Sequence, residues 1–231
     1  MSWGSYIGPD ARAVLFRYAR LLARYDRANV IGTQNLDEIM RHHVLDSLSC
    51  LLFEPLKSAK RVADIGSGGG LPGIPLAVAL PETRVTLFES TQKKVSFLQY
   101  AQEALDLSNV QIVNGRVEEA GRQNVHRGVY DVCAVRAVAR ISVLAEYCLP
   151  LLRVGGHIVA MKGREDQEEW AEGRRAAKKL RGFLEEDLQV RLLPEMEQKN
   201  RRLVLIRKLE ETPSAYPRRT GVSARNPLGR K

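Results

Sequence analysis

The sequence predicts a doubly wound α/β domain with an amino-terminal helical extension. From residue 61 onward, short β-rich runs alternate with helical patterns, which is typical of βαβ units and a mostly parallel sheet covered by helices on both faces. A glycine-rich segment directly follows the first run, as in Rossmann-like domains. We therefore expect a helical layer over 1–57 packed on the core, an α/β domain over 58–210 and a basic tail over 211–231.

The predicted elements follow from apolar spacing. Two helices, over 10–27 and 35–53, precede the first strand. Strands are predicted over 61–65, 84–88, 110–113, 129–135, 157–161, 188–193 and 203–206, and further helices over 74–80, 92–105, 143–152 and 165–186. The helix over 165–186 is rich in charge and is expected to be a solvated outer helix. The last two strands should form an antiparallel hairpin, and the tail from Pro213 should be an extended, conditionally ordered arm.

Composition favours a globular protein with an anionic partner. The 36 Lys and Arg residues exceed the 27 Asp and Glu residues, for a net charge of +9, which favours nucleic acid over a membrane surface. Cys50, Cys133 and Cys148 lie among apolar residues without a CxxC spacing, so we expect reduced cysteines in a cytoplasmic protein. We expect no metal site and no membrane segment.

The glycine-rich segment has the pattern Asp64-x-Gly66-x-Gly68-x-Gly70. Glycines here let the backbone turn sharply and approach a ligand. A dinucleotide template starting at Gly66 places Leu71 at its third glycine, and one starting at Gly68 moves the turn into the helix. S-adenosylmethionine fits better, because it lacks a phosphate and carries an ammonium group that an acid at the strand end would suit. A purely structural glycine turn is the alternative.

Charged residues at three further strand ends complete the predicted cofactor site. Glu89 follows the second strand, where a Rossmann-type site binds ribose hydroxyls. Glu118 follows the third strand and is suited to an exocyclic amine, and Arg136 ends the fourth. Ligands of open α/β sheets bind outside the carboxyl ends of the strands, so these side chains should face one site. For Glu89 the alternative is a surface glutamate that caps the following helix, and for Glu118 and Arg136 it is a solvated loop charge.

Together these segments resemble the bacterial RsmG (GidB) methyltransferase family. The resemblance is carried by DIGSGGGLPGIPLAV, LFESTQKKVSFL, GRVEE, VRAVAR and AMKG. It implies S-adenosylmethionine-dependent methylation of guanine N7 in the decoding-region loop of 16S ribosomal RNA. The cofactor residues that it implies are Gly66, Leu71, Glu89, Ser90, Thr91, Val117, Glu118 and Arg136, to which the glycine pattern adds Asp64, Gly68 and Gly70.

Methylation at N7 needs no general base, because that atom carries a lone pair and loses no proton. His43, Arg136 and Lys162 are candidates for positioning the substrate. Candidates for RNA binding are Lys93, Lys94, Arg140, Arg164, Arg218 and Arg219. The expected partner is 16S rRNA or a small-subunit ribosomal particle, with no obligate protein partner. An NAD-dependent oxidoreductase and a non-catalytic RNA-binding assembly factor are the alternatives.

Overall fold

A computed structural model describes residues 7–136, 139–163, 166–185, 188–190 and 201–230. Within these residues the chain forms one mixed eight-stranded sheet, in the order β3-β2-β1-β4-β5-β8-β6, with β7 also paired to β8. The first five strands along this order are parallel, whereas β8 is antiparallel to β5, β6 and β7. The predicted doubly wound sheet is confirmed.

Seven of the eight strands overlap the predicted ones, whereas β6 lies within the helix predicted over 165–186. The strands are β1 (Arg61–Ile65), β2 (Arg84–Glu89), β3 (Val110–Asn114), β4 (Tyr130–Arg136), β5 (Leu152–Lys162), β6 (Gly182–Leu184), β7 (Leu188–Gln189) and β8 (Arg202–Lys208). The antiparallel pairing of β7 with β8 confirms the predicted hairpin partners. The predicted end of that strand, 191–193, lies outside the described residues.

Helices cover both faces of the sheet. They are α1 (Pro9–Arg24), α2 (Leu36–Ile39), α3 (Asp46–Leu48), α4 (Gly73–Ala79), α5 (Gln92–Ala104), α6 (Val117–Ala120), α7 (Ile141–Cys148), α8 (Gln167–Lys179) and α9 (Val222–Arg225). Successive strand residues point to opposite faces. Val132 therefore joins the core cluster beneath α1, α4 and α5, whereas Cys133 joins the cluster beneath α7 and α8.

The amino-terminal layer differs from the prediction in one respect. Instead of one helix over 35–53, a π-helical turn at Met40–Leu45 separates α2 from α3, and a 3-10 turn follows at Ser49–Leu52. Within the π turn, the carbonyl groups of His42 and His43 accept hydrogen bonds from the Arg136 guanidinium, at 2.9 and 3.0 Å. A side chain that binds helix carbonyls in this way is a recognised cause of local irregularity.

The helix predicted over 165–186 is shorter in the structure. One side of it is buried, whereas the prediction was a fully solvated outer helix. Asp166 caps α8 by accepting hydrogen bonds from the backbone N–H groups of Glu168 and Glu169. The helix ends before Arg181, whose φ of 66° breaks the helical path, and β6 follows as an edge strand. Gly173 packs on α7, where an added Cβ would lie 2.5 Å from Ile141 Cγ2. The close contact with α7 explains why this side of a charged helix is buried.

The cysteines are buried and unpaired in the structure. Burial raises the pKa of the Cys50 and Cys133 thiols well above the ordinary value, which disfavours the reactive thiolate form. Across the described ranges, no helix combines the length and the apolar character that crossing a membrane requires.

Candidate active site at the carboxyl edge of the sheet

The glycine loop between β1 and α4 is held open by the neighbouring strand. The backbone N–H groups of Gly66 and Ser67 both donate to the Phe88 carbonyl, at 2.9 and 3.1 Å. Gly66, Gly68 and Gly70 have φ values of 71°, 57° and 91°, a region that side-chain-bearing residues rarely adopt. The loop therefore turns away from the sheet and exposes its backbone at the switch point between β1 and β4, where ligands of such sheets bind.

Glu89 joins this loop to the next strand. Its carboxylate accepts one hydrogen bond from the Gly68 N–H at 2.9 Å and another from the Thr91 N–H at 2.8 Å. A carboxylate has about four acceptor positions, so two backbone donors leave capacity for further hydroxyl groups. The side chain is only 6% exposed, yet it lines a cavity at this edge of the sheet.

The cavity has a volume of about 280 Å³ and opens at the carboxyl ends of β1, β2 and β3. Five predicted cofactor residues meet there, and they come from three separate segments of the chain. They are Gly66, Glu89, Ser90, Val117 and Glu118. The remaining lining residues are Ile65, Phe88, Gly115, Arg116, Ala139, Tyr147 and Ala224. The cavity thus combines two carboxylates with an apolar floor.

The other predicted cofactor residues lie outside the lining of the cavity. Gly68 and Thr91 contact it indirectly, through the hydrogen bonds that they donate to Glu89. Leu71 is half-buried against the core beneath α1. At Gly70, an added Cβ would lie 2.5 Å from Ile74 Cδ1. These residues shape the loop in the present conformation, and direct cofactor contact by them stays a prediction.

Asp64 is buried behind the glycine loop. Its Oδ2 atom accepts a hydrogen bond from the Gly73 N–H at 3.0 Å, so the side chain fixes the start of α4. Its Oδ1 atom has no hydrogen-bond partner among the described residues. Burial raises the pKa of Asp64 to about 7, because the charged form is poorly solvated there. The contacts give Asp64 a role in shaping the loop, and its predicted contact with the cofactor stays a prediction.

Arg136 binds the helical layer, in contrast to its predicted place in the cofactor site. Besides the carbonyls of the π turn, its guanidinium contacts His43 Nδ1 at 2.9 Å and lies 3.5 Å from the Asp46 carboxylate. Burial, followed by the charge of Arg136, lowers the pKa of His43 to about 4. His43 is therefore neutral at pH 7, and its Nδ1 accepts from Arg136, so Nε2 carries the proton.

Two other predicted cations have acidic partners. Lys162 Nζ lies 2.7 Å from Glu169 and donates to the carbonyl of Ala139, a residue of the cavity wall, at 3.1 Å. Arg140 lies 3.1 Å from the buried Glu172. Lys93 is exposed and Lys94 half-buried on α5, whereas Arg164 lies outside the described residues.

The carboxyl-terminal segment packs against the domain, so the predicted extended arm is wrong. Arg218 forms a bidentate ion pair with Glu146, whose side chain is fully buried, at distances down to 2.6 Å. Arg127 donates to the carbonyls of Thr212 and Tyr216 at 2.7 and 2.8 Å. These contacts join residues distant in sequence, so no local periodicity signals them. Arg218 therefore has an internal partner, unlike the exposed Arg219.

This segment also completes the wall of the cavity. Ala224 of α9 lines it directly. The Gly221 N–H donates to Glu118 Oε1 at 2.9 Å, which holds that carboxylate at the rim. Tyr147 on α7 lines the same side, and burial raises the pKa of its hydroxyl. Sequence reasoning missed Tyr147 and Ala224, since neither lies at a strand end or in a recognised motif.

Solved structures of methyltransferases share this fold. In solved structures the same fold occurs in the O-methyltransferase TomG from Streptomyces achromogenes, in complex with SAM (17% identity, TM-score 0.56, 91% of this chain and 100% of that one). It also occurs in a tRNA methyltransferase from Aquifex aeolicus (18% identity, TM-score 0.56, 84% of this chain and 76% of that one).

The family follows from sequence. Residues 12–204 match the GidB family model, described as rRNA small subunit methyltransferase G. A ribosomal RNA small subunit methyltransferase G from Rubrobacter xylanophilus is 56% identical over 228 residues, covering 98% of this chain and 87% of that protein. The chain therefore belongs to the rRNA small subunit methyltransferase G family, and the resemblance seen in its motifs is confirmed.

The buried ion pair predicts different effects for two adjacent arginines. Arg218→Ala should lower the free energy of unfolding by about 3 kcal/mol or more, because it leaves the Glu146 carboxylate buried without its partner. Arg219→Ala removes the same charge at an exposed position and should change stability by less than about 0.5 kcal/mol. Urea denaturation measures both. Equal stability of the two variants would contradict the structural role of Arg218.

The raised pKa of Asp64 predicts a pH-dependent stability difference. From about pH 4 to 7 the unfolded chain holds Asp64 ionised while the folded chain favours the neutral acid, so Asp64 reduces stability as pH rises through this window. Asp64→Asn removes that titration. Relative to the wild type, this variant should gain about 1–3 kcal/mol between pH 5 and pH 8 in urea denaturation without cofactor. A pH-independent difference would show that Asp64 titrates normally.

Proposed function

We propose that this protein transfers the methyl group of S-adenosylmethionine to N7 of a guanine in the decoding-region loop of 16S rRNA. The observation that carries the proposal is the meeting of Gly66, Glu89, Ser90, Val117 and Glu118 in one cavity at the sheet's switch point. Sequence patterns and the family resemblance assign the same residues to the cofactor. Family membership supports the same reaction class.

The cavity suits a nucleoside with a cationic substituent. Glu89 has free acceptor capacity on the side that faces the cavity, and each hydrogen bond from a ribose hydroxyl to a carboxylate is worth about 1.5–3 kcal/mol. Ile65 and Val117 supply apolar surface for a flat base, and Glu118 lies at the same rim. When bound, S-adenosylmethionine supplies an electrophilic methyl group on a sulfonium.

For this reaction the chain mainly needs to position its substrate. Guanine N7 has an exposed lone pair, so no residue has to remove a proton, and correct placement alone is worth roughly 7–11 kcal/mol of the barrier. Because the cavity lies at the strand ends, the target base must leave its stack to reach it. His43, Arg136 and Lys162 stay candidates for positioning. Neutral His43 offers an Nε2–H donor of the kind that guanine O6 accepts.

The RNA-binding candidates differ in what their charges already contact. Lys93 and Arg219 are exposed and suit contacts to phosphates. Arg140 and Arg218 already bind the buried carboxylates of Glu172 and Glu146, so we assign them to the protein scaffold. The partner is 16S rRNA itself or the assembling small-subunit particle. Membership in the methyltransferase family removes the basis for the NAD-dependent alternative.

Glu89→Ala should weaken S-adenosylhomocysteine binding about tenfold to hundredfold, because the ribose loses a charged acceptor. Glu82→Ala is a matched control, since Glu82 is exposed near the opposite end of the same strand and should keep wild-type affinity. Isothermal titration calorimetry measures both. Unchanged affinity in Glu89→Ala would remove Glu89 from the ribose site.

The reaction itself is tested on ribosomal RNA. Purified protein with S-adenosylmethionine should add one N7-methylguanosine to the decoding-region loop of 16S rRNA, as read by mass spectrometry of nuclease fragments. The substrate should be small subunits from a strain that lacks the gene, and the modification should be absent from that strain. A strain whose rRNA keeps every methyl group would favour the non-catalytic assembly factor.

A further inference from the structure

A second groove lies between the end of α1 and the outer face of α5. Its volume is about 370 Å³, larger than the about 280 Å³ of the cofactor cavity. Arg20, Arg24 and Arg27 contribute three cations to its lining, against the single carboxylate of Asp26. Arg20 and Arg24 are four residues apart and lie on one side of α1, and Arg27 lies three residues beyond the end of that helix. The groove is therefore strongly basic.

The arginines of this groove are not used by the fold. All three are exposed. Within the described part of the chain, the side chains of Arg24 and Arg27 form no ion pair or hydrogen bond. The Arg20 guanidinium lies over the Phe16 ring, 5.1 Å from its centroid. They differ in this from Arg136, Arg140 and Arg218, whose charges face carboxylates.

Aromatic rings form the other side of the groove. The Tyr25 ring packs edge-on against the buried Phe97 ring, with centroids 4.8 Å apart. It also stacks with the Tyr100 ring, at 6.2 Å and an interplanar angle of 28°. Tyr100 is 48% exposed, so part of its ring is available to a ligand. Arginines next to a fixed, exposed aromatic ring are the combination that binds single-stranded nucleic acid through phosphates and stacked bases.

The groove is connected to the carboxyl edge of the sheet through α5 and through the segment that follows α1. α5 starts three residues after Glu89, and Ser96 and Tyr100 face the groove one and two turns further along. With a rise of 1.5 Å per residue, they lie about 6 and 12 Å along the helix from its start. Lys93 shares their helix face. Val30 follows Arg27 by three residues and lies against Gly69 of the glycine loop. A Cβ added at Gly69 would be 2.7 Å from the Val30 carbonyl oxygen.

We propose that this groove binds the single-stranded RNA that flanks the target guanine. Arg20, Arg24 and Arg27 contact its phosphates, and Tyr100 stacks on an unpaired base, so that the strand continues over the start of α5 towards the cofactor cavity. This inference rests on the proposed function, because it takes the RNA substrate from there. It adds a docking site outside the residues that sequence patterns assign to RNA.

The test measures binding of the full-length protein to a transcript of the 16S rRNA decoding-region loop by fluorescence anisotropy at several salt concentrations. Arg20→Glu with Arg24→Glu should weaken binding at least about tenfold and reduce the salt slope by about 0.7 for each phosphate that the variant no longer neutralises. Tyr100→Ala should weaken binding about tenfold, whereas Tyr100→Phe, which keeps the stacking face, should bind like the wild type.

Arg174→Glu with Lys178→Glu is the matched control, since it makes the same charge change at the same spacing on exposed positions of α8, on the opposite face of the sheet. This variant should keep most of the affinity. All variants should bind S-adenosylhomocysteine normally, because the groove residues do not line the cofactor cavity.

Wild-type affinity and salt slope in the groove variants, or an equal loss in the α8 control, would overturn the proposal. Normal binding to the transcript combined with a loss of activity on small subunits would assign the groove to a protein partner and also overturn it. The proposed function is judged separately, by whether the wild type methylates the RNA.

Discussion

The candidate site depends on one carboxylate that serves two purposes. Glu89 fixes the glycine loop through the Gly68 N–H and the start of α5 through the Thr91 N–H, and it also faces the cavity. Hydrogen bonds of backbone donors to a charged acceptor are stronger than neutral ones, so the acceptor is held in place before any ligand arrives. The loop, the second strand and the helix that bounds the basic groove are therefore positioned by the same side chain.

The carboxyl-terminal segment gives the cavity a wall that the α/β core lacks. Its anchors are polar: Arg218 on the buried Glu146, and Arg127 on the backbone carbonyls of the segment. Burial raises the pKa of Glu146, but the hydrogen bonds from Arg218 outweigh that effect and hold it below its ordinary value. Because Gly221 holds Glu118 and Ala224 lines the cavity, the shape of the cavity depends on the docking of this segment.

The parts of the structure that were predicted correctly are those encoded by local spacing. The β1–loop–α4 unit and Glu89 at the end of β2 lie within one short stretch of the chain. Periodicity and turn residues therefore suffice to predict them. The π turn within the helical run over 35–53 is bound by Arg136, almost a hundred residues away, so no local pattern indicates it. Likewise, Tyr147 and Ala224 reach the cavity only through tertiary packing. Local patterns indicate which face of an element is buried, but not which distant residue will cover it.

The role of a charged residue is equally hard to assign from local sequence, and the structure assigns it by showing the partner of each cation. The excess of basic residues indicates an anionic partner, but it does not separate cations that bind RNA from those that neutralise buried acids. Arg218 and Arg219 are neighbours in an equally basic tail, yet one pairs with a buried carboxylate and the other is exposed. The arginines of α1 lie in an ordinary amphipathic helix, so no sequence pattern separates them from other surface charges. Their position beside the exposed Tyr100 ring distinguishes them from the others.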